Sequence, residues 1–253
     1  MATIDLNADL GEGFGAWRAG DDRAMLAIVT SANVACGLHA GDPDIMAETF
    51  RIAREKGVAV GAHPGFADLQ GFGRRRIPLS AGEIERLVAY QIGAAAALAA
   101  YAGHRLTYFK AHGALANMAA EDRSIADAVS RGARAADPSL VQLAIAASEQ
   151  MKAAEAAGLR AVGEIFADRG YDARGQLVSR GLPGAMIEDA DEAAGHVLRM
   201  VEEGAIVTGD GTRVAASFGS VCVHGDGPHA LKVAARVRAR LEEAGVPLAA
   251  FAP

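Results

Sequence analysis

The sequence predicts an α/β fold, a (β/α) barrel of about seven parallel strands built as one domain over residues 1–253. Three observations predict it. Short apolar runs alternate with helical segments about seven times, which is the pattern of a parallel sheet. Most of those runs lack polar alternation, as expected of strands covered on both faces. Polar residues follow nearly every run, whereas an open doubly wound sheet would gather them at one switch point.

The strand-like runs lie at 3–6, 33–36, 58–62, 107–110, 141–145, 161–166 and 220–224. Between them the helical segments have readable ends. Asp42-Pro43 pairs an N-cap acceptor with the ring that suits the first helical position, opening a helix over 43–56 that places Met46, Phe50 and Ala53 on one face. Ser80-Ala81-Gly82-Glu83 has the capping-box spacing and opens a long Ala-rich helix that stops at Gly103. Further helices are expected near 121–136, 147–157, from Asp189-Ala190-Asp191-Glu192 to Gly204, and over 228–244. Two long loops, 64–79 and 167–188, are rich in glycine and charge, and loops of that length often wall an active site. Residues 206–217, around Gly209-Asp210-Gly211, predict a small hairpin.

A hydrophobic content of 51% is ample for a buried core. No uncharged apolar run reaches the ~18 residues of a membrane span, and no basic, then apolar leader opens the chain. A cytoplasmic protein without a membrane partner is the expectation. Cys36 and Cys222 both sit in apolar runs and read as buried, reduced thiols. A net charge of −6 with scattered Lys and Arg argues against nucleic acid as a partner.

If the strands are parallel, their C-terminal ends share one face. That face collects Asn7, Asp9 and Glu12; His39 and Asp42; His63; Lys110 and His112; Glu164 and Asp168; and His224 and Asp226. Asp42 is accounted for as a helix cap. The four histidines recur at strand-to-helix junctions, and their convergence with carboxylates is the chemical signal. Imidazole moves protons near neutrality, and a carboxylate orients it or pairs with its charge. Lys110 is placed to stabilise an oxyanion or phosphate, or to form a buried ion pair. Arg74, Arg75 and Arg76, after Gly71-Phe72-Gly73, are placed to clamp a phosphate or carboxylate, or to stand solvated at the surface. Gly11-Glu12-Gly13-Phe14-Gly15 matches neither the dinucleotide fingerprint nor the P-loop. A divalent metal would find suitable donors in Asp9, His63 and His112, although no two histidines have the short spacing of a helix- or loop-borne zinc site.

These residues resemble the LamB/YcsF family, the A-type component of bacterial ATP-dependent 5-oxoprolinase. The matching segments are Asp5 to Glu12, Asn33 to Pro43, Gly61 to Phe66, Asp68 to Arg75, Lys110 to Leu115, Glu164 to Arg169 and Val223 to Asp226. Ala111 and Ala116 stand where the family usually has a proline and an aromatic residue, and Leu38 replaces a usual phenylalanine, changes that bear on pocket shape. The resemblance implies a barrel of the glycoside hydrolase/deacetylase class. It also implies hydrolysis of 5-oxo-L-proline to L-glutamate coupled to ATP hydrolysis, with 5-oxoprolinase B and C subunits as partners and ATP shared among them. On that resemblance Asp9, Glu12, His39, His63, Lys110, His112, Asp168 and His224 form the catalytic set. Asn7, Arg74, Arg75, Glu164, Arg169 and Asp226 form the substrate-binding set. The competing readings are a stand-alone metal-dependent amide hydrolase and a non-catalytic scaffold.

Overall fold

The computed structural model describes residues 3–225 and 229–252, so Asp226 and the expected helix start near Pro228 lie outside the described residues. Seven parallel strands close into a barrel in the order β1 (Asp5–Leu10), β2 (Ser31–Ala35), β3 (Ala59–His63), β4 (Leu106–Phe109), β5 (Val141–Ile145), β6 (Ala161–Phe166) and β9 (Ser220–Val223), with β9 pairing back onto β1. An antiparallel hairpin of β7 (Ala205–Val207) and β8 (Arg213–Ala215) stands apart from the barrel, where the Gly-Asp-Gly turn predicts it.

The helices begin and end for local reasons visible in the chain. Asp42 accepts from the backbone N–H of Asp44 and Ile45 at 2.9 Å and caps α2 (Pro43–Lys56), which Gly57 closes in the left-handed region at φ 68°. Ser80 and Glu83 form the reciprocal capping box of α3 (Ala81–Tyr101). Asp122, Ser148 and Asp189 cap α5 (Arg123–Ala136), α6 (Glu149–Ala156) and α7 (Ala190–Glu203), and α8 (Ala230–Glu243) is the last helix. Two further helices, α1 (Asp22–Met25) and α4 (Gly113–Glu121), are not expected from the sequence. The first spans four residues, and the second starts at His112, whose side chain makes no cap hydrogen bond.

β1 runs further than expected, through Leu10, and this changes where its polar residues lie. Leu6, Ala8 and Leu10 pack into the apolar layer beneath the helices, while Asp5, Asn7 and Asp9 alternate into the barrel. The strand obeys the period of two, with its polar face turned inward. Asn7 and Asp9 are therefore strand residues inside the barrel, not residues of a loop that follows it.

The interior is filled by a ladder of polar contacts along the axis. At its N-terminal end Asp5 accepts from the hydroxyls of Thr30 and Ser31 at 2.6 Å and from that of Ser220. Burial raises the Asp5 carboxyl above its ordinary range despite these three donors. Above it Asn7 donates to Ser220, Asn33 donates to Asn7 at 2.7 Å, and the Tyr108 hydroxyl donates to Asn33 at 2.8 Å. Tyr108 fits because Gly61 lies opposite: a Cβ there would come within 2.3 Å of its ring. Among the described residues no helix is long and apolar enough to cross a membrane.

Asp5→Ala would leave the buried hydroxyls of Ser31 and Ser220 without their acceptor. The expected cost is about 1–3 kcal/mol, read as a lower urea midpoint at unchanged slope. An unaltered midpoint would mean that the carboxylate contributes nothing to closing the barrel.

Candidate active site at the C-terminal strand ends

The C-terminal ends of the strands carry a cavity of about 290 Å³ whose wall includes Asp9, His63, Lys110, His112, Glu164 and His224. At its base lies the Lys110 ammonium, from just beyond β4. It reaches Asp9 Oδ1 from β1 and Glu164 Oε2 from β6, each at 3.0 Å, and donates to Cys222 Sγ at 3.1 Å. All three charged side chains are at least nine-tenths buried. Burial by itself would lower the Lys110 pKa, but the carboxylate of Asp9 first, with Glu164, outweighs it and raises the pKa well above the ordinary value. The two carboxylates are pushed apart. Burial favours the neutral form of both, yet the neighbouring His63 ring and the Lys110 ammonium hold Asp9 well below its usual range, while in Glu164 burial wins and the pKa rises. Asp9 is thus the ionised partner and Glu164 the one that keeps a proton more readily. Cys222 is a neutral thiol, and burial pushes Cys36 up to about 12. Both cysteines are free and buried, as the sequence suggests.

Three histidines pack beside this base. His63 Nδ1 donates to the Lys110 carbonyl and His112 Nε2 to the Phe72 carbonyl, both at 2.8 Å. His63 Nε2 lies 3.0 Å from His112 Nδ1 and 3.3 Å from Asp9 Oδ2. Glu12 Oε1 sits 3.4 Å from His112 Nδ1 and 3.5 Å from His39 Nε2. His39 lies flat on His112, ring centroids 3.7 Å apart. Burial, reinforced by the neighbouring rings, holds His39 and His112 well below the usual imidazole range. One donor atom each from Glu12, His39, His63 and His112 falls within 4.8 Å of the others, so this buried group could hold a metal ion. The loop 64–79 closes the group from outside. Phe72 takes a left-handed backbone (φ 54°), a conformation that costs a residue with a Cβ about 1–3 kcal/mol. Gly73 beside it has no room for a side chain, since a Cβ would lie 2.8 Å from both His112 Cδ2 and His39 Cβ.

The opposite wall is built differently. His224 Nδ1 donates to the Asp168 carboxylate at 2.7 Å, and Arg180 donates to His224 Nε2 at 2.9 Å. Burial raises Asp168, but the neighbouring His224 outweighs it and leaves the carboxyl below its ordinary value. Arg169 turns away from this pair to donate to the carbonyls of Ala185 and Val178, pinning the loop 167–188. Burial lowers its pKa to about 10.

A model of the LamB/YcsF family matches residues 4–253. The chain belongs to the LamB/YcsF family. It is 57% identical over 253 residues, all of both chains, to a protein of Azorhizobium caulinodans named as the A-type subunit of 5-oxoprolinase. A solved structure of a lactam utilization protein from Thermus thermophilus superposes with a TM-score of 0.93 at 46% identity, covering 98% of this chain and 100% of that one. The catalytic domain of a peptidoglycan N-acetylglucosamine deacetylase from Eubacterium rectale reaches 0.52 at 9% identity, covering 99% and 92%, a likeness of fold alone.

In this LamB/YcsF chain most residues expected at the strand ends do meet. Asp9, His63, Lys110, His112, Glu164 and His224 share the cavity, as do Arg74 and Arg169. Other placements differ from expectation. Asn7 lies beneath the cavity, bonded to Ser220 and Asn33. Arg75 is clamped on Asp68 and braces the loop 64–79, while Arg76 stays at the cavity wall, paired with Glu121 at 2.6 Å. The donor group within metal-binding reach contains Glu12 and His39 in place of Asp9, which is held by Lys110 and Asn33. Sequence reasoning misses Arg180 and the Phe72 carbonyl, and their only trace in the chain is that both sit in loops long enough to wall a site.

Lys110→Met would strand two buried carboxylates beside each other. The expected destabilisation is about 3–5 kcal/mol in urea unfolding, partly recovered by adding Glu164→Gln. No recovery in the double variant would show that the two carboxylates do not depend on the ammonium. Because the Asp168 carboxyl is lowered in the folded state, its contribution is complete above the ordinary carboxylate value and disappears as pH falls through the lowered one. Asp168→Asn should therefore lower stability at neutral pH and make the acid limb of a stability–pH profile shallower. An unchanged limb would remove the ion pair from the account.

Proposed function

We propose that the chain is the A-type component of an ATP-dependent 5-oxoprolinase, which hydrolyses the lactam of 5-oxo-L-proline to L-glutamate together with B and C subunits. The observation that carries this reading is a small, cation-lined acid–base cavity in a chain that matches a 5-oxoprolinase component along its whole length. At about 290 Å³ the cavity lies at the lower limit of small-molecule sites, a scale suited to a small lactam acid.

The chemistry gives ATP its purpose. A five-membered lactam is a stabilised amide, and opening it at neutral pH is unfavourable. Transfer of the γ-phosphoryl group to the lactam oxygen releases ADP and makes the ring carbon a better electrophile. Water then adds to that carbon, giving up a proton to a base, and the C–N bond breaks as the nitrogen takes up a proton. The resulting acyl phosphate is hydrolysed by a second water to glutamate and phosphate. His63 or His112 is the base in this scheme, and Glu164, with its raised pKa, is a proton source. Lys110 is engaged by Asp9 and Glu164, so it organises these groups, and Arg74 or Arg180 is better placed to meet the substrate carboxylate. The chain has no nucleotide motif, which suits a component that shares ATP with its partners.

Release of glutamate from 5-oxoproline by the reconstituted complex should require ATP, this chain and both partner subunits. Turnover by this chain alone without ATP would overturn the reading. His112→Ala should lower turnover by about 10²–10⁴-fold with the circular dichroism spectrum unchanged. Full turnover in that variant would place the chemistry elsewhere.

A further inference from the structure

The two backbone carbonyls beside His63 and His112 decide where the ring hydrogens are. A carbonyl only accepts, so His63 Nδ1 and His112 Nε2, each 2.8 Å from one, both carry hydrogen. The lone pairs of the neutral rings are then on His63 Nε2 and His112 Nδ1, which face each other at 3.0 Å. Carboxylate oxygens border the same space, Glu12 Oε1 at 3.4 Å from one nitrogen and Asp9 Oδ2 at 3.3 Å from the other. The two rings are 1% and 3% exposed, so bulk water does not relieve the repulsion. Electron-rich atoms so disposed call for a shared cation.

We infer that His63 Nε2, His112 Nδ1 and the Glu12 carboxylate hold one transition-metal dication of the zinc class at the cavity wall. Two imidazoles and a carboxylate are the donor set such ions accept, with a further coordination position left for water or substrate. Bonds of about 2.0–2.1 Å in a tetrahedron put ligand atoms ~3.3 Å apart. Two of the three ligand separations, 3.0 and 3.4 Å, match that edge, and all the donor atoms lie within 4.8 Å of one another. Both histidines already donate their other N–H to a backbone carbonyl, the support that fixes the tautomer of a metal-binding imidazole. His39 is in the group by proximity, but its ring is stacked within 4° of parallel on His112, and in-plane lone pairs of parallel rings do not meet at one ion. Its place is as the packing partner of His112. The inference gives His63 and His112 a ligand role in place of the base role above, and it does not need the lactam reading, because binding is measured without substrate, ATP or other subunits.

The full chain, stripped with a chelator and shown to be folded by circular dichroism, would be titrated with Zn²⁺ by calorimetry and with Co²⁺ by visible absorption. One equivalent of each should bind, with Co²⁺ giving the intense visible bands of a four- or five-coordinate centre. His63→Ala, His112→Ala and Glu12→Gln should each weaken binding by more than the roughly 100-fold ceiling for losing a ligand's supporting partner. His39→Phe, which keeps the stacked ring, should stay within about 10-fold of the parent. A folded chain that takes up neither ion would overturn the inference in favour of a proton shared between the two rings. Stoichiometric binding that survives in His112→Ala would also overturn it, by placing the ion elsewhere. Loss of binding in His39→Phe would overturn the three-ligand assignment.

Discussion

The ammonium of Lys110 is the constraint on which the site depends. It stands between a carboxylate from β1 and another from β6, strands that are separated in the barrel by β9, and it comes itself from the end of β4 on the far side. One buried cation therefore ties three strand ends across the barrel. Taking those charges out of water costs several kcal/mol per ion, and that cost is offset only if each has close partners. The polar ladder below provides them: Asn33 donates to Asp9 Oδ1 at 2.8 Å, and Asn7 donates toward Glu164. The result is an unequal pair of carboxylates, one held ionised and one inclined to keep its proton, set by environment and not by residue type.

Much of this is legible in the sequence, and the limits have physical causes. The strand and helix alternation, the capping residues Asp42 and Ser80 and the helix-closing glycines locate the elements, because each is a local device whose signal lies within a few residues. β1 reads short in the sequence because Asn7 and Asp9 look like loop residues. Inside a barrel a polar face can be the buried one, and burial there is offset by partners from β2, β9 and Lys110 just beyond β4 that no local window contains. α1 escapes a sequence reading because four residues carry too little periodicity to register. The roles of Asp42 and Arg75 differ in how far away their partners lie. Asp42 is legible because its partners are two and three residues on, while Arg75 is not, because Asp68 meets it only when the loop folds back.

The loops do more than enclose the cavity. The loop 64–79 supplies the Phe72 carbonyl, held toward His112 by a left-handed backbone that is unfavourable for phenylalanine, and the Trp17 ring packs edge-on against Phe72. The loop 167–188 supplies Arg180 to His224 and is itself held by Arg169. The first loop thus brings one polar contact to His112, and the second brings two to His224, from Asp168 and Arg180. Local strain of this kind persists only where surrounding contacts over-determine it, and the clamp of Arg75 on Asp68 is one such contact.

What a histidine can do is decided by the partner of each ring nitrogen, and four of the histidines show three outcomes. His104 donates through Nε2 to Val58 and accepts at Nδ1 from the Arg105 backbone, so both nitrogens are committed to structure. His224 donates to Asp168 and accepts from Arg180, so its lone pair is engaged by a group that can only donate. His63 and His112 each commit one nitrogen to a carbonyl and direct the other at the same point in space. Of these three, only the last leaves lone pairs for a proton or a metal ion. One of the two carbonyls belongs to β4's own continuation at Lys110 and is as rigid as the barrel. The other belongs to a loop, so the orientation of His112 depends on how that loop is closed. The reactive capacity of the site is thus coupled to the loop 64–79, whereas its charge balance is fixed by the strands.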